Sequence, residues 1–166
     1  MPSEKELDLA FDQAIQSNPE FLSWFLESIG LGEEEQKLIF LRSNHPWCKF
    51  RVVLPNPETG ALEAFEREGE TDILAVFESA SARKVGVHIE NKIESGSFTP
   101  EQPELYAARA EHWVGAESYG SYDTWVTVLV APASFMAKFS DQCRKFTFQL
   151  CHEDIAVYVS EFGGNE

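Results

Sequence analysis

The sequence predicts one α/β domain in which a mixed sheet is flanked by helices, and three observations favour that class. Helical periodicity fills the first part of the chain, and strand patterns alternating with further helical segments follow it. Two segments, Thr71–Phe77 and Thr124–Ala131, are almost wholly apolar, as central strands covered on both faces are. The 166 residues are 43% hydrophobic and 13% aromatic, which suits one packed core. We therefore expect a single domain over 1–166 with an N-terminal helical segment, about 1–43.

Helices are predicted to open the chain. Ser3 followed by Glu6 is a capping box, which predicts a helix start. The dipeptide Asn18-Pro19 supplies a cap and a first-position proline for a second helix, which Gly30 ends. The amphipathic segment from about Glu33 to Arg42 predicts a third, short helix.

The central part of the chain predicts strands. Alternating or continuous apolar runs bounded by turn residues indicate them at Lys49–Leu54, Leu62–Glu68, Thr71–Phe77 and Val85–Ile93. We expect a three-stranded antiparallel meander in this part of the chain. The meander should precede a crossover helix and a further strand.

The second half predicts a return to alternating helices and strands. Thr99-Pro100-Glu101-Gln102 should open the crossover helix, with Thr99 as N-cap and Gln102 as the third helical residue. A strand at Thr124–Ala131 is then followed by these expected elements: a helix at Pro132–Cys143, a strand at Phe146–Cys151 and a closing helix at His152–Phe162.

The charge balance limits the possible partners. The chain has 28 acidic and 13 basic residues, a net charge of −15, spread along its length. Nucleic-acid binders usually have a basic surface, because counterion release from phosphates provides much of their affinity. We therefore expect the free chain to bind nucleic acid weakly, and a homo-oligomer or a protein partner to be possible.

Cysteine content and hydropathy predict a cytoplasmic protein. The three cysteines are widely spaced, and the N-terminus lacks the apolar stretch of a signal peptide, so reduced thiols are expected. Neither His45 with Cys48 nor Cys143 with Cys151-His152 has the paired spacing of a zinc site. No apolar run of roughly 18 residues predicts a membrane span.

The strand Val85–Ile93 has polar side chains on a face that should be covered. Alternation places Gly86, His88, Glu90 and Lys92 on that face, opposite the apolar residues. Buried polar groups need partners, so these residues indicate a site. Asp72 opens the preceding strand, and in an antiparallel pair the start of one strand lies beside the end of the next. We expect Asp72 to lie near Glu90 and Lys92.

Two converging carboxylates and a lysine suit metal-dependent hydrolysis. The carboxylates repel each other unless a cation lies between them or one holds a proton. Magnesium accepts such oxygen ligands and keeps several waters, and a nearby lysine can hold the attacking water. The alternative is an ordinary aspartate at a strand start and a surface ion pair between Glu90 and Lys92.

The same residues resemble a known nuclease family. Gly69-Glu70-Thr71-Asp72-Ile73-Leu74 and Val87-His88-Ile89-Glu90-Asn91-Lys92-Ile93 look like the PD-(D/E)XK nuclease superfamily, in particular a branch of uncharacterised and defence-associated members with an Ile-Glu-Asn-Lys-Ile motif. In that branch a glutamine, and a tyrosine four residues later, open the next helix; Gln102 and Tyr106 match. The resemblance covers roughly residues 20 to 130, and Thr71 replaces the usual proline.

The resemblance implies roles for these residues. Asp72 and Glu90 would bind Mg²⁺ or Mn²⁺, the Asn91 carbonyl would add a backbone ligand, and Lys92 would assist the attacking water. It also implies a restriction-endonuclease-like core. An upstream acid is expected, and its candidates are Glu20, Glu66, Glu68 and Glu70. Glu20 is preferred, as the charged residue in an otherwise apolar helix, although it can equally complement the helix dipole.

Three further residues have competing interpretations. Gln102 can join the site, cap its helix, or do both. Tyr106 and Arg109 are candidates for substrate binding, while Tyr106 can also be a core aromatic and Arg109 can pair with a glutamate. His88 is expected to be a hydrogen-bonded core histidine.

Two functions follow from these expectations. The first is a metal-dependent nuclease that hydrolyses DNA or RNA. The second is a catalytically silent or partner-dependent binding or regulatory protein of the same fold, for example in an antiviral defence system. A metal-free nucleotide binder is disfavoured, because the chain has no glycine-rich phosphate loop.

Overall fold

The two N-terminal helices form as the sequence predicts. The computed structural model describes residues 1–164. Helix α1 (Glu4–Ser17) begins with the capping box, in which the Ser3 hydroxyl accepts from the backbone of Glu6 and the Glu6 side chain accepts from that of Ser3. Helix α2 (Pro19–Ser28) begins at Asn18, whose side chain accepts from a backbone N–H of the first turn.

The predicted third helix is wrong, because its residues form a strand. Strand β1 (Gln36–Arg42) pairs antiparallel with a central strand, and a bulge between Leu38 and Phe40 shifts its register. The segment does have an amphipathic helical pattern. The backbone pairing offered by an apolar neighbouring strand outweighs that local pattern.

Over residues 1–164, seven strands form two sheets. The remaining strands are β2 (Trp47–Pro55), β3 (Leu62–Glu70), β4 (Ile73–Ser79), β5 (Lys84–Asn91), β6 (Thr124–Ala131) and β7 (Phe148–Cys151). The main sheet has the order β1-β4-β5-β6-β7, antiparallel from β1 to β5 and parallel from β5 to β7. A mixed sheet flanked by helices is therefore present, as the fold class predicts.

The antiparallel part of the main sheet is not the expected meander of consecutive strands, because β1, β4 and β5 form it. Strands β2 and β3 pair with each other in a separate two-stranded sheet, and β1 takes the place beside β4. The side chains explain this difference. In β2 only Phe50 and Leu54, on one face, are buried, whereas every apolar residue of β4 is buried. A strand with one apolar face cannot fill a position covered on both faces.

The helices of the second half differ from prediction at their ends. Helix α3 (Gln102–His112) follows Glu101, which has a φ of 64°, so Thr99 is not its N-cap. The predicted helix at Pro132–Cys143 divides at Phe139 into α4 (Ala133–Lys138) and α5 (Ser140–Cys143). The closing helix α6 is short (His152–Ile155), and a 3-10 helix (Ser160–Gly163) follows it.

The core fills both faces of the main sheet. Helices α1 and α2 cover one face with edge-to-face phenylalanines, including Phe11, Phe21 and Phe25, which pack on Val87 and Ile89. On the other face, clusters around Tyr106 and Trp113 surround α3. The expectation that β4 is covered on both faces is confirmed.

None of the helices described over residues 1–164 has the length and apolar character needed to cross a membrane.

Candidate functional site

Glu90 and Lys92 lie together at the carboxyl end of β5. Lys92 Nζ is 2.7 Å from Glu90 Oε1, and both side chains are almost wholly buried. Val87 and Ile89 point to the opposite face, where they join the α1–α2 core. The alternation predicted for this strand is therefore present, and the pair is not a surface ion pair.

Asp72 reaches the same place through the β4–β5 pairing. It directly precedes β4, and the register places Ile73 opposite Ile89. The backbone N–H of Asn91 donates to Asp72 Oδ2 at 2.9 Å. The structure thus brings together Asp72, Glu90, Asn91 and Lys92, as the predicted hairpin requires.

Helix α3 supplies two partners to Glu90. Gln102 Nε2 donates to Glu90 Oε1 at 2.8 Å, and the Tyr106 hydroxyl donates to Glu90 Oε2. The same hydroxyl accepts from the backbone N–H of Asp72 at 3.1 Å. Gln102 also accepts from the backbone N–H of Thr99, so it contacts the site and stabilises the helix start. Both residues therefore contact Glu90 from the first two turns of α3.

Arg109 is a buried cation beside the carboxylates. Its Nε donates to Thr71 Oγ1 at 3.0 Å, and its Nη2 donates to the carbonyl oxygen of Glu70 at 2.5 Å. Its guanidinium also lies over the Tyr106 ring. Among residues 1–164 no carboxylate forms an ion pair with it, so the alternative of a glutamate partner is not realised.

Asp8 is a site residue that sequence reasoning missed. It lies on α1 with 0% exposure, and its Oδ1 accepts from the Asn91 side chain at 3.2 Å. His45 Nε2 lies 3.0 Å from its Oδ2. The sequence does contain a signal for Asp8. It is an acid on the same helical face as Phe11 and Ile15, which are three and seven residues later, and that face is buried.

The candidate upstream acids occupy different places. Glu20 is exposed on α2 beside a shallow depression with Trp24 and Tyr158, and the structure does not bring it to the site. Glu66 pairs with Lys49 on the outer face of the β2–β3 sheet. Glu68 and Glu70 are exposed and line the site. Glu4, which was not a candidate, is half-buried and lines it too. Glu70 Oε1 lies 2.9 Å from His45 Nδ1.

His88 is a core residue, as expected. Its Nδ1 lies 3.0 Å from the Thr71 hydroxyl, and its Nε2 lies 2.9 Å from the Tyr122 hydroxyl. Burial lowers the pKa of His88 well below its usual value, and the nearby Arg109 lowers it further. The neutral ring therefore links Thr71 to Tyr122 and adds no charge to the site.

Burial and repulsion between neighbouring carboxylates raise the pKa values of Asp72 and Asp8. The pKa of Asp72 is well above its ordinary value because of burial, then because of the nearby Glu90 and Asp8. Burial raises the pKa of Asp8 to about 6. Partial burial lowers the pKa of His45, but hydrogen bonds to Glu70 and Asp8 outweigh it, and the net shift is upward. A cation among these groups would relieve the repulsion.

A cleft of ≈ 250 Å³ lies between α3 and the loops that precede β2 and β4, and its wall includes His45, Asp72, Glu90, Lys92 and Arg109. Nearby, one ligand atom from each of Asp8, His45 and Asp72 lies within 4.8 Å of the others. A larger cleft, ≈ 430 Å³, lies between the two ends of the described chain and is mostly apolar, with Leu7, Ile93 and Phe162 in its wall. The smaller cleft contains the buried carboxylates, Lys92 and Arg109, so it is the candidate functional site.

Comparison of the chain with protein-family models, with curated proteins and with solved structures found no match. The interpretation of the cleft therefore depends on its own geometry. That geometry combines buried carboxylates, one buried lysine and one buried arginine in a space open to solvent.

Proposed function

We propose that the protein is a nuclease-like phosphodiesterase that depends on Mg²⁺ or Mn²⁺ and hydrolyses DNA or RNA. The observation that supports it best is the convergence of Asp72 and Glu90, two buried carboxylates, with Lys92 in one cleft. A hard divalent cation balances such carboxylates. Resemblance to the PD-(D/E)XK superfamily and a restriction-endonuclease-like core belong to the same proposal. The arrangement of α1, the antiparallel strands β1-β4-β5, the crossover helix α3 and the strand β6 supports both.

Four groups are suited to hold the ion. Asp72 and Asp8 have carboxylate oxygens directed to one point, Glu90 lies next to them, and the Asn91 carbonyl is the backbone ligand expected from the resemblance. When bound, the ion would lower the pKa of a coordinated water and stabilise charge on the phosphate. The Asn91 N–H fixes one oxygen of Asp72 and leaves the other free to bind.

Lys92 orients the attacking water in this proposal. Its ammonium is held by Glu90 at 2.7 Å and lies 5.6 Å from the Phe98 ring centroid, so its position is restricted. A fixed donor of this kind stabilises negative charge developing on a phosphate oxygen. Gln102 and Tyr106 hold the two oxygens of Glu90 and so keep the pair aligned.

Arg109 is the group suited to a substrate phosphate. It is buried, lines the cleft and has no carboxylate partner among the described residues. A buried cation without a counterion is costly, and a phosphate would supply the missing charge. Tyr106 is suited to the same contact, since its ring lies against the guanidinium.

Paired substitutions test the mechanism. Lys92→Met and Asp72→Asn should each lower the cleavage rate in Mg²⁺ or Mn²⁺ by roughly 100-fold or more, because each removes a group that acts on the reacting phosphate. Lys49 and Glu66 form a similar pair on the surface, with 2.8 Å between Nζ and Oε1. Lys49→Met and Glu66→Gln are matched controls and should keep wild-type rates. Cleavage that survives both site substitutions would refute the proposal.

The second candidate is a partner-dependent binding or regulatory protein with the same fold. The net charge of −15 favours it, because the free chain repels a polyanion at long range. Calorimetric titration with Mg²⁺ and Mn²⁺ separates the candidates. Failure to bind either ion at millimolar concentration would favour this second candidate.

A further inference from the structure

His45 lies where three carboxylates approach one imidazole. Its Nε2 is 3.0 Å from Asp8 Oδ2, and its Nδ1 is 2.9 Å from Glu70 Oε1 and 3.5 Å from Asp72 Oδ1. The residue belongs to the loop between β1 and β2 and has a φ of 53°. The resemblance drawn from the sequence gives this residue no role.

The loop holds the ring in place. The carbonyl oxygen of Pro46, the next residue, accepts from the backbone N–H of Thr71 at 3.0 Å. Thr71 directly precedes Asp72, so the loop and the start of β4 are joined at the site. The imidazole is partly exposed, whereas the Asp8 side chain beneath it is 1% exposed.

The spacing of these groups suits a shared metal ion. In an octahedral site with bonds of about 2.1 Å, neighbouring ligand atoms are about 3 Å apart. One ligand atom from each of Asp8, His45 and Asp72 lies within 4.8 Å of the others, which is compatible with a shared ion. The 3.0 Å separation to Asp8 involves Nε2 of the ring, and the 3.5 Å separation to Asp72 involves Nδ1. In this structure the ring bridges the acids, and a small rotation would turn one nitrogen to a common ion.

We propose that His45 is a metal ligand, and that Asp8, His45 and Asp72 form a nitrogen-and-oxygen ligand set that prefers Mn²⁺ to Mg²⁺. Mg²⁺ favours oxygen ligands alone, whereas imidazole nitrogen suits first-row transition metals. The role of the ion in hydrolysis rests on the proposed function. The identity of its ligands does not, and it can be measured without any substrate.

Pulsed electron paramagnetic resonance on the full chain with one equivalent of Mn²⁺ tests the ligand directly. Nitrogen-14 coupling from one histidine should be present in the wild type and absent in His45→Asn and His45→Gly. Both replacements suit the positive φ at this position. His112→Asn, an exposed histidine stacked on Phe50 outside the cleft, is the matched control and should keep the coupling.

Calorimetric titration gives the selectivity. His45→Asn should weaken Mn²⁺ binding by about tenfold or more and change Mg²⁺ binding by less than about threefold, so the preference for Mn²⁺ falls. Bound Mn²⁺ without nitrogen coupling would overturn the assignment of His45, while cleavage that depends on Lys92 would leave the proposed function intact. Nitrogen coupling without any cleavage would support His45 as a ligand and would overturn the proposed function. Absence of binding by either ion would overturn both.

Discussion

Asn91 holds both buried aspartates of the site. Its backbone N–H donates to Asp72, and its side-chain amide donates to Asp8. His152 Nε2 lies 3.0 Å from Asn91 Oδ1, and burial lowers the pKa of His152 to about 4, so the neutral ring donates from Nε2. That bond fixes which end of the amide faces Asp8. Such outer contacts commonly set the affinity of a metal site.

The first prediction concerns this contact. Asn91→Ala should weaken Mn²⁺ binding by about tenfold, because Asp8 loses its donor and His152 no longer fixes the local geometry. Calorimetric titration measures the change. Asn44→Ala, on the exposed β1–β2 loop, is the control and should bind as the wild type does. Equal affinity in Asn91→Ala would show that Asp8 is positioned by α1 alone.

The second prediction concerns the stability of the metal-free protein. The pKa of Asp8 is about 6 in the folded state and near 4 in the unfolded chain, so the folded state binds the proton more tightly. Lowering the pH through 6 toward 4 should therefore increase the contribution of Asp8 to the free energy of unfolding. At pH 8 the buried charge is destabilising, and Asp8→Asn should raise the free energy of unfolding by on the order of 2 kcal/mol.

Thermal unfolding with a chelator at pH 8 and at pH 5 measures both effects. Asp8→Asn should be more stable than the wild type at pH 8, and the difference in stability between the two proteins should be smaller at pH 5. Asp12→Asn, on the same helix with a bond to Gln16, should show no such pattern. A less stable Asp8→Asn at pH 8 would mean that its bond to His45 outweighs the cost of burying the charge.

At the scale of elements, strand β5 requires a residue without a side chain at Gly86. A Cβ there would lie 2.6 Å from the Tyr122 ring, and Tyr122 is fixed by His88 and by a bond to the Ala110 carbonyl. The ring has no free space in which to move. The close packing of β5 against this tyrosine is thus part of what holds the polar strand face in position.

The third prediction follows from that contact. Gly86→Ala should lower the free energy of unfolding by about 1–3 kcal/mol, because the added methyl overpacks the core. Chemical denaturation measures it. Gly163→Ala is the control, since a Cβ there would meet Ala156 at 3.8 Å, an ordinary contact distance. An unchanged free energy of unfolding in Gly86→Ala would mean that the Tyr122 ring can move away from β5 at little cost.

Elements that depend on local patterns were predictable, and those that depend on distant partners were not. The capping box of α1 and the alternation of β5 are local, and both are present as expected. Strand β1 was mistaken for a helix because its partner, β4, lies beyond the whole β2–β3 sheet. The same limit hid Asp8: its position beside Asp72 depends on how α1 crosses the sheet. Adjacent strands place Asp72 beside Asn91, so that contact could be inferred.

At the scale of the whole molecule, the acidic surface governs how substrate can approach. The net charge of −15 opposes binding of nucleic acid, and the cations inside the cleft are few. Counterion release can therefore contribute little to affinity. A divalent ion, or a partner with basic residues, is the means by which a polyanion would be held.

The fourth prediction tests this directly. Lys92→Met, which keeps the carboxylates proposed to bind the ion, should bind a labelled oligonucleotide in Mn²⁺ and should not bind it measurably with a chelator. Fluorescence anisotropy at several salt concentrations measures both, and the salt dependence should be shallow because few phosphates are neutralised. Tight binding without metal, steeply reduced by salt, would instead indicate a basic surface contributed by an oligomer.

The β2–β3 sheet lies between two strands that are neighbours in the main sheet, since β1 ends at Arg42 opposite Leu74 of β4. The segment 43–70 is therefore inserted between two neighbouring strands of the main sheet. His45 and Glu70 lie near its two ends and contact each other at the candidate site. In engineering terms, the distant turn around Asn56 and Gly60 is the place to attach a fluorophore or a tag. The base of the insertion is a place where even one added residue would displace His45.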